Sequence, residues 1–477
     1  MTLPVMPLLP LVIVSATIVI AIIALSIKRS HRFIFFLTLL GTTVAFASLR
    51  PVNSFPSAAL QTSMLFSFDG FASFYGGLIL AGAFAVALIS FDYLKRHPEG
   101  KEEHYVLLLG ALLGALTVVF ARHFVSFFLG LELLSISLYP LIAYQRTSPT
   151  YAEAGLKYLV LSGASSAFLL FGMALVYGAT GAMEFSSVAQ KLSAAGREWA
   201  MPAAGMVLVM VGIGFKLGLV PFHMWTPDVY QGAPAPVTAL IATVSKGAVF
   251  GLLLRLFSRI DLTGHQQLFV VFAIVAVASM FAGNLLALFQ QSIKRLLAYS
   301  SIAHLGYLLV AFLSAGPLRV TAVTFYLTVY FAMTVGAFAV VASLSGERGD
   351  ADNMAEYEGL FDRRPFVGGA FVFMLLSLAG MPLTAGFIGK IYVVAAGLGS
   401  LLTVLVVILI INSAISLFYY LRVVAVVFKA GPGKGSTVST IGLGGSVVMA
   451  VLFLLLVWWG VYPIPLVDLI EGITIGP

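Results

Sequence analysis

Cysteine is missing altogether from the 477 residues. Its absence excludes disulfides, thiolate catalysis and cysteine-ligated iron–sulfur clusters, so redox chemistry coupled to this chain belongs on another polypeptide. Charge is scarce too: Asp, Glu, Lys and Arg make up 9% of the residues, where a soluble domain carries about 25%. With hydrophobic residues at 60% and a mean hydropathy of +1.05, the deficit specifies a polytopic membrane protein. Basic residues outnumber acidic ones by 26 to 19, but they fall in short connections. There is no Lys/Arg-rich run and no nucleic-acid-binding module. The excess is therefore a topology signal, and no nucleic-acid partner is expected. Scattered His and Asp lack metal-ligand spacing, so neither a metal nor a cofactor site is expected on this chain. No positive residue precedes the first apolar stretch, which is also too long for a signal-peptide core; it is expected to stay as the first helix.

A hydrocarbon core of about 30 Å takes about 20 helical residues, and only helices or closed barrels satisfy the backbone there. The apolar runs are too long for barrel strands. Polar, proline and glycine breaks divide the chain into about fourteen expected spans, at 8–27, 33–50, 71–91, 105–121, 124–143, 154–177, 201–226, 237–257, 267–289, 296–313, 320–344, 366–397, 401–428 and 440–461. The odd-numbered connections hold the larger basic groups: Lys28, Arg29 and Arg32; Lys95, Arg96 and Lys101; Lys294 and Arg295; Arg348, Arg363 and Arg364; Lys429 and Lys434. The intervening ones hold only Arg50, Arg122, Lys191 with Arg197, Arg259 and Arg319. The positive-inside rule then puts odd connections in the cytoplasm and both termini outside. The longest polar stretch, 345–366, is expected to be a loop able to touch a neighbour, too short for a soluble domain.

A few charges lie inside the apolar spans: Glu132 in "GLELLSISLYP", Lys216 in "GFKLGLVPF", Lys246 in "ATVSKGAVF" and Lys390 in "GFIGKIYVV". Lys157, Arg255 and Arg422 lie closer to span ends, where a long side chain can snorkel to water. Each charge at the bilayer centre costs on the order of 3 kcal/mol. One carboxylate cannot neutralise three ammoniums, so simple pairing fails as an account of all four. Taking an ammonium out of water favours its neutral amine, and an amine that spends time neutral can accept and release protons. The pattern is that of a proton relay. His223 and His304 also sit in apolar segments; a lone histidine there is more often a satisfied core residue, and both are secondary candidates.

Two of these lysines stand beside helix breakers. Pro221 follows Lys216 and is expected to interrupt its span, since proline removes an amide donor and clashes with the preceding turn. Pro382, flanked by Gly380 and Gly386, precedes Lys390. Freed carbonyls at membrane depth must face protein or water, so each break is expected to make a small polar cavity of the kind transporters use. The lysine precedes the proline in one segment and follows it in the other, so the letters alone do not establish a repeat. The glycines of "GIGFKLG" (212–218) have no strand before them and read as helix-packing positions, not a phosphate loop.

The stretches "GFKLGLVPFHMWTPDVYQGAPAPVTALIATVSK", "QSIKRLLAYSSIAHLGYLLVA" and "SLAGMPLTAGFIGKIYVV" resemble the antiporter-like membrane subunits of bacterial respiratory complex I, and "TPDVYQGAPAPV" resembles the N-type branch over the L- and M-types. The resemblance implies an all-α polytopic membrane fold with two inverted five-helix repeats, helices 4–8 and 9–13, and broken helices 7 and 12. Residues 1–477 then form one membrane domain: three N-terminal helices in 1–104, the repeats in 105–257 and 267–428, and a last helix in 440–477. It further implies that Glu132 pairs with Lys216, that Lys246 is the central relay lysine and Lys390 the terminal one, with Lys157 and Lys294 in family-like contexts. NADH, FMN, iron–sulfur clusters and quinone (such as ubiquinone) would be handled by other subunits. Partners would be membrane subunits including an M-type antiporter-like one, in the lipid bilayer of a bacterial inner membrane. Subunits of cation/proton antiporters and membrane hydrogenases share the fold and are the nearest alternatives, followed by a purely architectural scaffold.

Overall fold

The computed structural model describes residues 6–49, 64–96, 101–145, 149–194, 200–258, 265–347, 349–400, 402–430 and 442–473. Arg50, Arg197, Arg259, Arg348 and Lys434, and the start expected for the last span, lie outside the described residues. Among those described, the secondary structure is helical apart from isolated bridges such as Phe66–Ala121 and Ser292–Asn353. The helices are α1 (Leu9–Ile27), α2 (His31–Ala47), α3 (Gly70–Lys95), α4 (Glu103–Phe120), α5 (Phe124–Ile142), α6 (Pro149–Thr180), α7 (Phe185–Ala194), α8 (Ala200–Leu217) and α9 (Trp225–Gly232). They continue with α10 (Ala235–Leu256), α11 (Gln266–Ala287), α12 (Ile293–Leu313), α13 (Leu318–Leu344), α14 (Pro365–Ala379), α15 (Ala385–Gly399), α16 (Thr403–Phe428), α17 (Leu443–Val461) and α18 (Ile464–Glu471). Twelve of the described helices are long and apolar enough to cross a membrane, and α2, α14 and α15 are shorter apolar helices.

Burial sorts these helices. α10, α12 and α13 are enclosed almost throughout, whereas α1, α17, α6, α11 and α16 present wide apolar faces outward. Exposed Ile22, Phe168, Ile274, Phe418 and Leu454 lie on that outer wall, as lipid contact requires. Packing follows chain order. α4 lies against α5 and α11 against α12; both pieces of the first broken helix, α8 and α9, pack on α6, and both pieces of the second, α14 and α15, pack on α13. Close approach depends on small residues: a Cβ on Gly283 of α11 would stand 2.6 Å from Ala303 N and 2.7 Å from Tyr299 O of α12.

Both expected breaks are present. α8 stops at Leu217, the Val220–Pro221 peptide is cis, and the chain resumes as α9 at Trp225. Trp225 Nε1 donates to Phe215 O at 2.8 Å, tying the new helix to the end of the old one. The second break turns at Gly380 (φ +80°) and Leu383 (φ +70°), and Thr384 caps α15 by accepting from Phe387 N. α10 differs from the regular helix expected: Ile241–Ser245 forms a π-helical turn just before Lys246, a local widening frequent at functional sites.

Two other expectations need correction. Arg255 does not snorkel; it is 5% exposed and holds Asp69 through two hydrogen bonds of 2.7 and 2.8 Å. Lys294 belongs to the first turn of α12, not to a connection. Within the 345–366 stretch, Asp350 accepts from Lys294, and Asp352 from Ser292 and Gln231, so its acidic residues are tied to the chain's own helices.

Candidate functional site

Lys216 lies in the last turn of α8, where unpaired carbonyls favour a cation. It is buried, and its Nζ donates to Ser135 of α5 at 2.6 Å and Ser162 of α6 at 2.5 Å. The expected partner stands one layer away: Glu132 accepts from Ser166, and no ion pair within 4 Å joins it to Lys216. Helix periodicity explains this. Glu132 and Ser135 share a face of α5 at i,i+3, Ser162 and Ser166 a face of α6 at i,i+4, so the two helices interpose hydroxyls between acid and amine.

Lys246 follows the π turn of α10 and is wholly buried. Its Nζ donates to Ser301 of α12 at 2.7 Å and lies 5.2 Å from the Tyr230 ring centroid. Ser301 also accepts from Tyr330 at 2.7 Å. One turn along α12, His304 Nδ1 is 2.7 Å from Tyr326 Oη and its Nε2 3.2 Å from Tyr420 Oη, which in turn meets Ser300. A turn further, Tyr307 accepts from Asn284 at 2.9 Å, and its ring centroid lies 5.3 Å from Lys390 Nζ. Ser301, His304 and Tyr307 thus form a polar strip along α12, running from Lys246 toward Lys390. The spacing stands in "YSSIAHLGY", yet only His304 was singled out there; Ser and Tyr carry no formal charge to mark them.

Lys390 sits on α15 but reaches back across the break. It donates to Ala379 O, the last residue of α14, at 2.7 Å and to Ser413 of α16 at 2.8 Å. Lys216 and Lys390 therefore both lie at the carbonyl end of the first piece of a broken helix, although their order relative to proline is reversed. Lys390 also lines a cavity of about 310 Å³ that includes the exposed Ile391 and Ile410 and so opens on the outer wall.

The remaining candidates separate from this row. Lys294 is buried against Asp350 at 2.5 Å and donates to Ala233 O at 2.6 Å. Lys157 is half-exposed and held by Glu153 at 2.7 Å and Asp228 at 2.9 Å, while Arg295 takes the other Asp228 oxygen. His223 lies half-buried in the first break. Lys157, Asp228, Lys294 and Asp350 line a polar cavity of about 370 Å³. Asp228 and Gln231 of α9 line it, and Tyr230 between them meets Lys246, so one helix separates the cavity from the central amine.

Buried broken helices with lysines at their breaks define an antiporter-like membrane subunit, and a family model described as NADH:quinone oxidoreductase/Mrp antiporter, transmembrane, matches residues 121–416. A curated relative, NADH-quinone oxidoreductase subunit N of Methylococcus capsulatus, is 44% identical over 98% of this chain and 95% of its own. A chain of respiratory complex I from Thermus thermophilus superposes with a TM-score of 0.81 at 32% identity, over 97% of this chain and all of that one. A chain of the Mrp complex from Dietzia sp. superposes at 0.85 over 99% of this chain and 97% of that one; at 20% identity it speaks for the fold alone. The chain belongs to the family of NADH-quinone oxidoreductase subunit N.

Proposed function

We propose that this chain translocates protons as a membrane subunit of a bacterial NADH:quinone oxidoreductase, beside other membrane subunits including an M-type antiporter-like one. NADH, FMN, iron–sulfur clusters and quinone act elsewhere in that assembly. One observation carries the reading. Among the described residues, Lys216, Lys246 and Lys390 are buried with no carboxylate within 4 Å, and the hydrogen bonds they donate go to hydroxyls and backbone carbonyls. The same molecule neutralises its static buried cations with acids, Arg255 with Asp69 and Lys294 with Asp350. A scaffold would treat all five alike.

In this mechanism the polar cavity beside Lys157, Asp228 and Lys294 is the cytoplasmic uptake side. Glu132 acts on Lys216 through the intervening serines; its displacement weakens the hold of Lys216 on its proton. The proton passes to Lys246, along Ser301, His304 and Tyr307, and reaches Lys390 for release outside. Matching α4–α5 and α11–α12 hairpins, each followed by a helix gripping a broken one, support two inverted repeats within fourteen spans. The termini then lie on the periplasmic side.

Lys216→Ala in the assembled enzyme tests this. Coupled quinone reduction should become slow or uncoupled while NADH oxidation by artificial acceptors survives; normal pumping would remove Lys216 from the route. A sodium–proton antiporter subunit predicts sodium-dependent transport instead, which proteoliposome flux measurements distinguish.

A further inference from the structure

Asn284 of α11 and Asn412 of α16 are both wholly buried, on two helices that turn wide apolar faces outward. A buried amide costs free energy unless its hydrogen bonds are made, and those of Asn284 are made. Its Nδ2 donates to Met280 O at 2.9 Å, Tyr307 Oη at 2.9 Å and Asn412 Oδ1 at 3.2 Å, and its Oδ1 accepts from Tyr419 at 3.1 Å. One side chain thereby ties α11 to α12 and α16. A carboxamide donates and accepts hydrogen bonds without changing its charge, so Asn284 is no station on a proton route. Its contacts nevertheless converge on one. The Tyr307 ring centroid lies 5.3 Å from Lys390 Nζ, and Lys390 donates to Ser413 at 2.8 Å. Tyr307 is held by Asn284 directly, and Ser413 follows Asn412 in the chain.

The same contacts set the direction of the hydrogen bonds. Tyr419 occupies the amide oxygen, so the amide nitrogen faces Tyr307 and the phenol oxygen accepts. The proton of Tyr307 is then directed elsewhere, and its other hydrogen-bond partner is Ser416. Ser416 spends its own proton on Ser413 O at 2.6 Å, so it accepts from Tyr307. We propose that Asn284 is a positioning residue for the terminal lysine, fixing the place and the hydrogen-bond direction of Tyr307 beside Lys390. The inference rests on the proton-relay reading and adds what orders its last step. A carboxylate at this place would also hold the tyrosine, but it would compete with Lys390 for the proton. The amide holds without competing.

The test is a double-mutant cycle on the whole enzyme in proteoliposomes. Asn284→Leu keeps the size of the side chain and removes its polar atoms. It should slow coupled quinone reduction by about tenfold, the rate equivalent of one lost hydrogen bond, while NADH oxidation by artificial acceptors stays at the wild-type level. In a Tyr307→Phe background the hydroxyl that Asn284 holds is already gone. There the same substitution should change the rate by less than about twofold. Equal slowing in both backgrounds would assign Asn284 to packing and overturn the proposal. Wild-type turnover in Asn284→Leu, with Lys390→Met inactive, would overturn it too and leave the relay reading standing. Coupled pumping at the wild-type rate in Lys390→Met would overturn the relay reading itself. Should leucine prevent assembly, Asn284→Ser, smaller and still polar, enters the same cycle and is judged by the same two outcomes.

Discussion

At the residue scale, the informative contrast is between buried cations with an acid and those without. Lys294 and Asp350 close on each other at 2.5 Å, a static pair whose loss strands a buried charge. Lys246 has a serine and an aromatic face but, among the described residues, no acid within 4 Å, so none of them is a fixed neutraliser of its charge. Two variants separate these roles. Lys246→Arg keeps the charge but not the ability to release a proton; coupled turnover should fall by about a hundredfold, the lower end for a lost proton-transfer group, with assembly intact. Lys294→Ala should instead cost about 3–5 kcal/mol, seen as lost complex on native gels before any change in turnover per enzyme.

At the element scale, the broken helices convert backbone into chemistry. Each break leaves a carbonyl terminus at depth, and a lysine amine settles there: Lys216 from within α8, Lys390 from the far side of the second break. The π turn before Lys246 is a third departure from regular helix next to a third lysine. Intact helices hold these breaks in register through close contacts. Gly283→Val forces a side chain into the α12 backbone; overpacking of this kind costs about 1–3 kcal/mol. A lower thermal inactivation temperature of the purified complex should follow, with its initial coupling ratio unchanged.

At the scale of the whole molecule, enclosure is uneven for a reason. α10, α12 and α13 are sealed inside and carry Lys246, the α12 strip and Tyr326 with Tyr330, while α1, α6, α11, α16 and α17 turn wide apolar faces outward. Such enclosure keeps bulk water away from the proposed relay and so limits proton leakage. The predicted topology is directly testable because the chain has no cysteine of its own. A membrane-impermeant maleimide should label Lys28→Cys only from the cytoplasmic face and Ala315→Cys only from the opposite one. Labelling of both from one face would refute the assigned orientation.

Hydropathy, the Lys/Arg bias and the misplaced charges are one-dimensional properties, so the all-helical membrane class, both breaks and the three central lysines could be read from the sequence. Contacts between distant segments could not. That Glu132 meets Ser166 instead of Lys216, that Arg255 finds Asp69 and Lys294 finds Asp350 depends on which helices become neighbours and on which face each turns inward. The strip of Ser301, His304 and Tyr307 gained meaning only when α12 was enclosed, since a serine or tyrosine becomes part of a polar route only through what lies beside it. The sequence by itself determined where charge is too costly to be accidental; the tertiary structure decided which buried charges meet a carboxylate and which meet hydroxyls and carbonyls instead, because pairing is set by distances across the bundle.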